Sequence, residues 1–216
     1  MKILGIRGKK GVGKNFVAEV LERTLSSSGA KVEFMAFAVP LKEMLVEPFG
    51  LDRSKLFGNV DDKEETITGY SWDKIPASIR SKEFVGRTGP MTYRDMLKFV
   101  GTDIMRQFFD TQIWVKAMCR GINRSSADVI LITDVRFPNE LSMVRDYGGR
   151  IMRIKGTQRA RTTLKEDEHP TENALDGFLE DDYVIENEKN DNSFSLREKL
   201  KEVLAWLSTT STGRAT

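Results

Sequence analysis

Residues 5–16 read "GIRGKKGVGKNF", and the fold turns on this stretch. From Gly8 to Lys14 it follows G-x-x-x-x-G-K, the spacing of a loop that wraps nucleotide phosphates. Asn15 stands where a Ser or Thr normally follows the lysine. Glycines at 8, 11 and 13 permit positive φ and let successive N–H groups turn toward one point. Ahead of the loop, "KILGI" (2–6) predicts a short buried strand. Behind it, Val17, Val20, Leu21 and Leu25 fall on one face of a helix. In that setting the helix adds the positive end of its dipole, and Lys14 offers a mobile cation to β and γ phosphates. Gly8, Lys10, Gly11, Gly13, Lys14 and Asn15 are therefore the candidate residues for a bound nucleotide's phosphates. The carboxamide oxygen of Asn15 can coordinate Mg²⁺ or hold one of its waters in place of the missing hydroxyl. A glycine turn that binds nothing is the alternative, and the complete pattern in its strand–helix context weighs against it.

Bulk properties narrow the class. The chain has 216 residues, 39% hydrophobic and 31% charged, with a net charge of +2. So even a balance argues against a protein that coats nucleic acid. A single cysteine, Cys119, excludes an internal disulfide framework and a four-cysteine zinc site, and the lone His169 argues against a histidine metal centre. The apolar run at the N-terminus is too short for a signal peptide, and no stretch of about 18 apolar residues is present to span a membrane. A soluble cytoplasmic protein is expected.

Further along, "KVEFMAFA" (31–38) reads as a strand and "AVPLKEMLVEPFG" (38–50) as a short helix after Pro40. Residues 59–90 are polar, broken by glycine and proline, and read as an irregular insertion, with Trp72, Ile75, Ile79, Phe84 and Val85 available for burial. A helix is predicted from Thr92, with Asp95 completing a capping box, and another from Thr111. "ADVILITD" (127–134) has the continuous apolar character of a central parallel strand. A helix over "NELSMVRDYGG" (139–149), strands at "RIMRI" (150–154) and "DYVIENE" (182–188), and a C-terminal amphipathic helix opened by Ser195 and Glu198 complete the pattern. Alternating strands and helices predict a parallel α/β sheet. Asp134 ends one strand, where such sheets bind ligands, and can hold a metal ion or its water. Arg136, two residues on, can meet a phosphate.

Taken together, "GKKGVGKNFVAEVL", "FAVPLKEML", "YRDMLKFVGTDIMRQFFDTQIWVKAM", "LITDVRFPNE", "DEHPTENAL" and "YVIENE" resemble the bacteriophage deoxynucleoside monophosphate kinases. The resemblance runs in order over roughly residues 1–205 and is broken in 51–90. It implies a P-loop three-layer α/β/α kinase domain over 1–207, with a helical acceptor-binding insertion at about 51–90, a small lid at about 155–173 and a disordered tail at 208–216. It also implies transfer of the γ-phosphoryl of ATP, with Mg²⁺, to a deoxynucleoside monophosphate. Lys42, Lys63, Arg94, Gly101, Arg106, Trp114, Asp134, Arg136 and Glu140 match acceptor positions. Trp114 either stacks on the acceptor base or packs in the core, and Asp134 serves either the metal or the base. Arg159 and Arg161 are lid candidates that close over phosphate, or else part of a solvated charge run; Asn187 is placed near adenine. No nucleic acid or membrane partner is expected, and a homodimer is allowed. The other readings are a dephospho-coenzyme A kinase-like or phosphomevalonate kinase-like enzyme and a nucleotide-dependent switch.

Overall fold

The computed structural model of the chain describes residues 1–58, 60–156, 174–178, 180–188 and 191–209. Arg159 and Arg161, most of the expected lid and most of the expected tail lie outside the described residues. In chain order the elements are β1 (Lys2–Arg7), α1 (Lys14–Ser27), β2 (Val32–Met35), α2 (Ala38–Val46), α3 (Arg53–Phe57), α4 (Val60–Glu65), β3 (Ile67–Ser71), β4 (Pro90–Thr92) and α5 (Tyr93–Lys98). A π-helix (Phe99–Phe109) follows, then α6 (Ile113–Arg124), β5 (Val129–Ile132), α7 (Pro138–Asp146), β6 (Arg150–Gly156) and β7 (Tyr183–Asn187). Two helices, α8 (Ser193–Lys199) and α9 (Lys201–Ser208), are the last elements among the described residues. Residues 37–119 form one compact unit, and 1–36 with the described residues from 120 onward form another.

In the unit that holds the N-terminus, five parallel strands lie in the order β2-β5-β1-β6-β7. β1 is central: Lys2 pairs with Val129 on one side and Leu4 with Arg150 on the other. Every residue of β5 is buried, which is why its sequence is apolar without alternation. One face is covered by α1, α8 and α9. Val17, Val20, Leu21 and Leu25 pack with Leu196, Leu200, Val203 and Leu207 against Leu4, Ile6, Leu131, Met152 and Ile154. Against the other face lies α7, which contacts β1 and β6. Gly5 makes that approach possible, since a methyl group there would sit 2.8 Å from the Ile151 side chain and 3.2 Å from Val144. This is the parallel, helix-flanked α/β architecture that the sequence predicts.

The other unit is more ordered than the sequence suggests. Residues 59–90, read as irregular, contain α4 and the strand β3, which pairs antiparallel with β4. Trp72, Phe84 and Phe99 make its core: the first two stack at 4.5 Å between centroids, and Phe99 meets Trp72 edge-on at 5.3 Å. Burial of aromatics this size contributes about 2–3 kcal/mol each, which anchors the surrounding polar segment. The Arg80 guanidinium lies 5.5 Å from the Trp72 ring and donates to the carbonyls of Ile75 and Arg87. The expected capping box is present: Asp95 N–H donates to Thr92 Oγ1 and Thr92 N–H to Asp95 Oδ2, both at 3.1 Å.

Four local expectations are corrected. β2 stops at Met35, and α2 begins at Ala38, ahead of Pro40. Proline is accepted in a first turn because its missing N–H has no helical partner to lose. The continuation expected of α5 becomes a π-helix after Lys98. α8 is opened by Asn192, whose side chain accepts from the N–H groups of Phe194 and Ser195, and Ser195 instead returns the capping-box bond.

Candidate functional site

The loop between β1 and α1 folds as its glycines require. Gly11 and Gly13 have φ of 80° and 84°, in the left-handed region, and Gly13 is the N-cap of α1. Gly8 passes so close to β6 that a methyl group there would lie 2.5 Å from the Ile154 carbonyl. With glycine at the cap and no acidic residue in its first turn, α1 presents a helix start suited to an anion. Lys14 curls back over the loop and donates to the carbonyls of Gly8 and Lys9, at 2.8 Å each. It is thus held beside the concavity by two weak acceptors that a phosphate oxygen replaces readily. Asn15 is exposed on the first turn, and Lys10 is half-buried in the loop.

Asp134 and Arg136 lie just beyond the carboxyl end of β5. The neighbouring Val135 N–H donates to the Ile6 carbonyl at 3.2 Å, and Thr133 N–H to the Met35 carbonyl at 3.2 Å. These bonds bring Asp134 alongside the end of β1, where the phosphate loop begins. Among the described residues no cluster of three or more acidic, histidine or cysteine side chains could hold a metal by itself. The oxygen donors of Asn15 and Asp134 suit a Mg²⁺ that is already carried by nucleotide phosphates. Glu140 is 1% exposed, and its Oε2 accepts from the N–H groups of Arg136 (2.7 Å) and Phe137 (3.1 Å). It therefore fixes the turn that carries Arg136, a task not foreseen from sequence.

In the other unit, Lys42 and Arg94 each act electrostatically on Lys63. Lys63 is buried, and its ammonium donates to the Gly58 carbonyl. Burial, with Lys42 and Arg94 beside it, pushes its pKa down to about 8. Lys42 also lies 4.8 Å from the Phe57 ring centroid, and Arg94 is 3.8 Å from Glu64. Asp62 opposes that shift, so two cationic neighbours and one acidic one act on Lys63. Trp114 is buried and its indole N–H donates to the Gly101 carbonyl at 2.9 Å. Gly101 itself packs under the Leu41 side chain, which a Cβ there would force to move. Arg106 is buried on the π-helix.

Sequence reasoning passed over two residues. Arg7, inside the opening motif, makes a two-pronged pair with Asp181 at 2.6 Å per contact and donates to the carbonyls of Leu175 and Phe178. An arginine closing a buried strand demands such partners, and that was the available signal. Asp103, fully buried, accepts from Ser81 N–H at 2.8 Å and ties the π-helix to the aromatic core. Asn187, which the resemblance places near adenine, donates through Nδ2 to the Val12 carbonyl of the phosphate loop at 2.7 Å.

Comparison with known proteins completes the identification. Residues 54–200 match the deoxynucleotide monophosphate kinase family. The chain is 26% identical over 208 residues to the putative deoxynucleotide monophosphate kinase of Acanthamoeba polyphaga mimivirus, covering 90% of this chain and 92% of that one. It is 34% identical over 87 residues to the deoxynucleoside-5'-monophosphate kinase of Escherichia phage T5, covering 38% of this chain and 34% of that one. Shikimate kinase from Bacteroides thetaiotaomicron superposes with a TM-score of 0.44 at 11% identity, over 96% of this chain and 99% of that one. The family match favours neither a different small-metabolite kinase nor a nucleotide switch. The chain belongs to the deoxynucleotide monophosphate kinase family, as a kinase that uses ATP to phosphorylate deoxynucleoside monophosphates.

Proposed function

We propose that the 8–15 loop holds the β and γ phosphates of ATP and that Lys42, Lys63 and Arg94 hold the phosphate of the acceptor. The observation that supports this most strongly is the donor loop: left-handed glycines at its turns, a helix start behind it, and Lys14 drawn over it. Phosphoryl transfer asks little covalent chemistry of a protein. It needs donor and acceptor aligned and the spreading negative charge neutralised. In this reading Lys14 follows the γ-phosphoryl as it leaves ADP, and Arg136, oriented by the Glu140-bound turn, adds a second cation. Asn15 and Asp134 would offer oxygen donors to a Mg²⁺ bound with the nucleotide, which would supply charge neutralisation to the phosphates. Trp114 supports the Gly101 backbone through its indole N–H and, being buried, packs in the core rather than stacking on a base. Arg159 and Arg161 supply further cations from the 157–173 segment. The enzyme works in the host cytoplasm, as the likeness to a phage kinase suggests, and needs no nucleic acid.

The test is product analysis. Each of the common deoxynucleoside monophosphates is incubated with ATP and Mg²⁺, and diphosphates are separated by ion exchange. Formation of a deoxynucleoside diphosphate in step with ADP is the expected result. ADP release with no diphosphate from any acceptor contradicts the reading.

A further inference from the structure

We propose that Asn187 is a positioning residue for the donor phosphates, acting through the loop and not by touching the nucleotide base. The inference rests on the kinase function, which wild-type turnover checks separately. Asn187 is the last residue of β7 and is 1% exposed. Its backbone is fixed from β6, because Gly156 pairs with it in the sheet and lies so close that a Cβ there would strike the Asn187 carbonyl. Its carboxamide reaches under the loop and donates to the Val12 carbonyl at 2.7 Å. Gly13 packs directly on the same amide nitrogen, so a side chain at 13 would collide with it.

The Val12–Gly13 peptide is planar and trans, so its C=O and N–H point in opposite directions. Anchoring the Val12 oxygen on Asn187 therefore aims the Gly13 N–H to the side opposite Asn187. Gly13 is the N-cap of that helix, and its own carbonyl accepts the first helical bond from Val17 at 3.1 Å. One buried carboxamide thus sets the peptide that joins the loop to the helix. Without it, the left-handed Gly13 is free to flip that peptide, because glycine carries no steric bias against doing so. A donor aimed in advance contributes to binding without the cost of ordering it on contact.

The experiment uses Asn187→Ala, and Asn187→Leu, which keeps the side-chain volume and excludes a substituting water. Binding of inorganic tripolyphosphate, ATP and GTP is measured by calorimetry, with Michaelis constants for the monophosphate alongside. The expected result is a loss of roughly tenfold in affinity that is equal for all three phosphates, with the acceptor KM unchanged. Loss confined to ATP, with tripolyphosphate unaffected, assigns Asn187 to the base and overturns the proposal. Unaltered phosphate binding with only a lowered thermal midpoint overturns it as well, by leaving the residue a purely structural role. On the unmodified protein, ¹⁵N–¹H spectra titrated with tripolyphosphate should move the Gly13 amide strongly downfield, and a Gly13 amide that stays put contradicts the proposal without any variant.

Discussion

Raising the pH from 7 to 9 should weaken binding of the monophosphate acceptor while leaving ATP binding nearly unchanged. The perturbation acts on Lys63, whose pKa is pushed down to about 8 by burial and by Lys42 and Arg94, with Asp62 opposing them. At that value the ammonium is about nine-tenths protonated at pH 7 and about one-tenth at pH 9. A charge-assisted hydrogen bond to phosphate is worth about 1–2 kcal/mol in such a setting, or about five- to thirtyfold in affinity. Weighting the protonated and neutral forms gives a rise in acceptor KM of about three- to sevenfold between the two pH values. The acceptor phosphate is already a dianion over this range, so its own titration does not interfere. The assay is the pH profile of both Michaelis constants, in the wild type and in Lys63→Met. The variant should show a raised acceptor KM with no inflection near pH 8. Stability moves in the opposite sense. Between pH 8 and 10.5 the unfolded chain keeps a proton that the folded one has released, so stability should climb through that window and the variant should lack the climb. A flat acceptor KM from pH 7 to 9, or an inflection that survives in Lys63→Met, refutes the reasoning.

Three further substitutions test other parts of the account. Gly13→Ala places a side chain at φ 84° and against the Asn187 amide; it should cost about 2 kcal/mol of stability in denaturant titration and abolish measurable ATP binding. Trp114→Phe leaves the Gly101 carbonyl without its indole donor and should lower stability by about 2 kcal/mol while changing the acceptor KM less than twofold; a tenfold rise would mean that the ring stacks on the base. Asn15→Ser should retain turnover and saturate at a lower Mg²⁺ concentration in a metal titration, because a hydroxyl is the usual ligand there.

The central sheet was legible because each signal was local. β5 is apolar without interruption, α1 carries its apolar face at regular spacing, and the glycines mark the loop between. The region 59–90 was not legible, for the opposite reason. Its order comes from Trp72, Phe84 and Phe99, which are far apart in sequence, and from an Arg80 side chain satisfying carbonyls that no ladder serves. The π-helix escaped too, since its apolar spacing over 99–109 reads equally as an α-helix. At the site, the motif identified the loop and its lysine. What supports the loop was hidden, because Asn187 and Val12 are brought together only by the strand order. Glu140 was read as a ligand-facing acid, although a glutamate three residues into a helix also reads as a cap, and that is the contact the structure shows.

The most direct test of the account compares wild type with Lys14→Ala in a coupled assay of ADP release, with and without a deoxynucleoside monophosphate. Wild-type ADP release should depend on the monophosphate, and the variant should lose at least a hundredfold in kcat/KM while keeping the wild-type circular dichroism spectrum. Near-normal turnover in a folded Lys14→Ala protein, or ADP release indifferent to the acceptor, contradicts the assignment of the 8–15 loop as the donor site of this kinase.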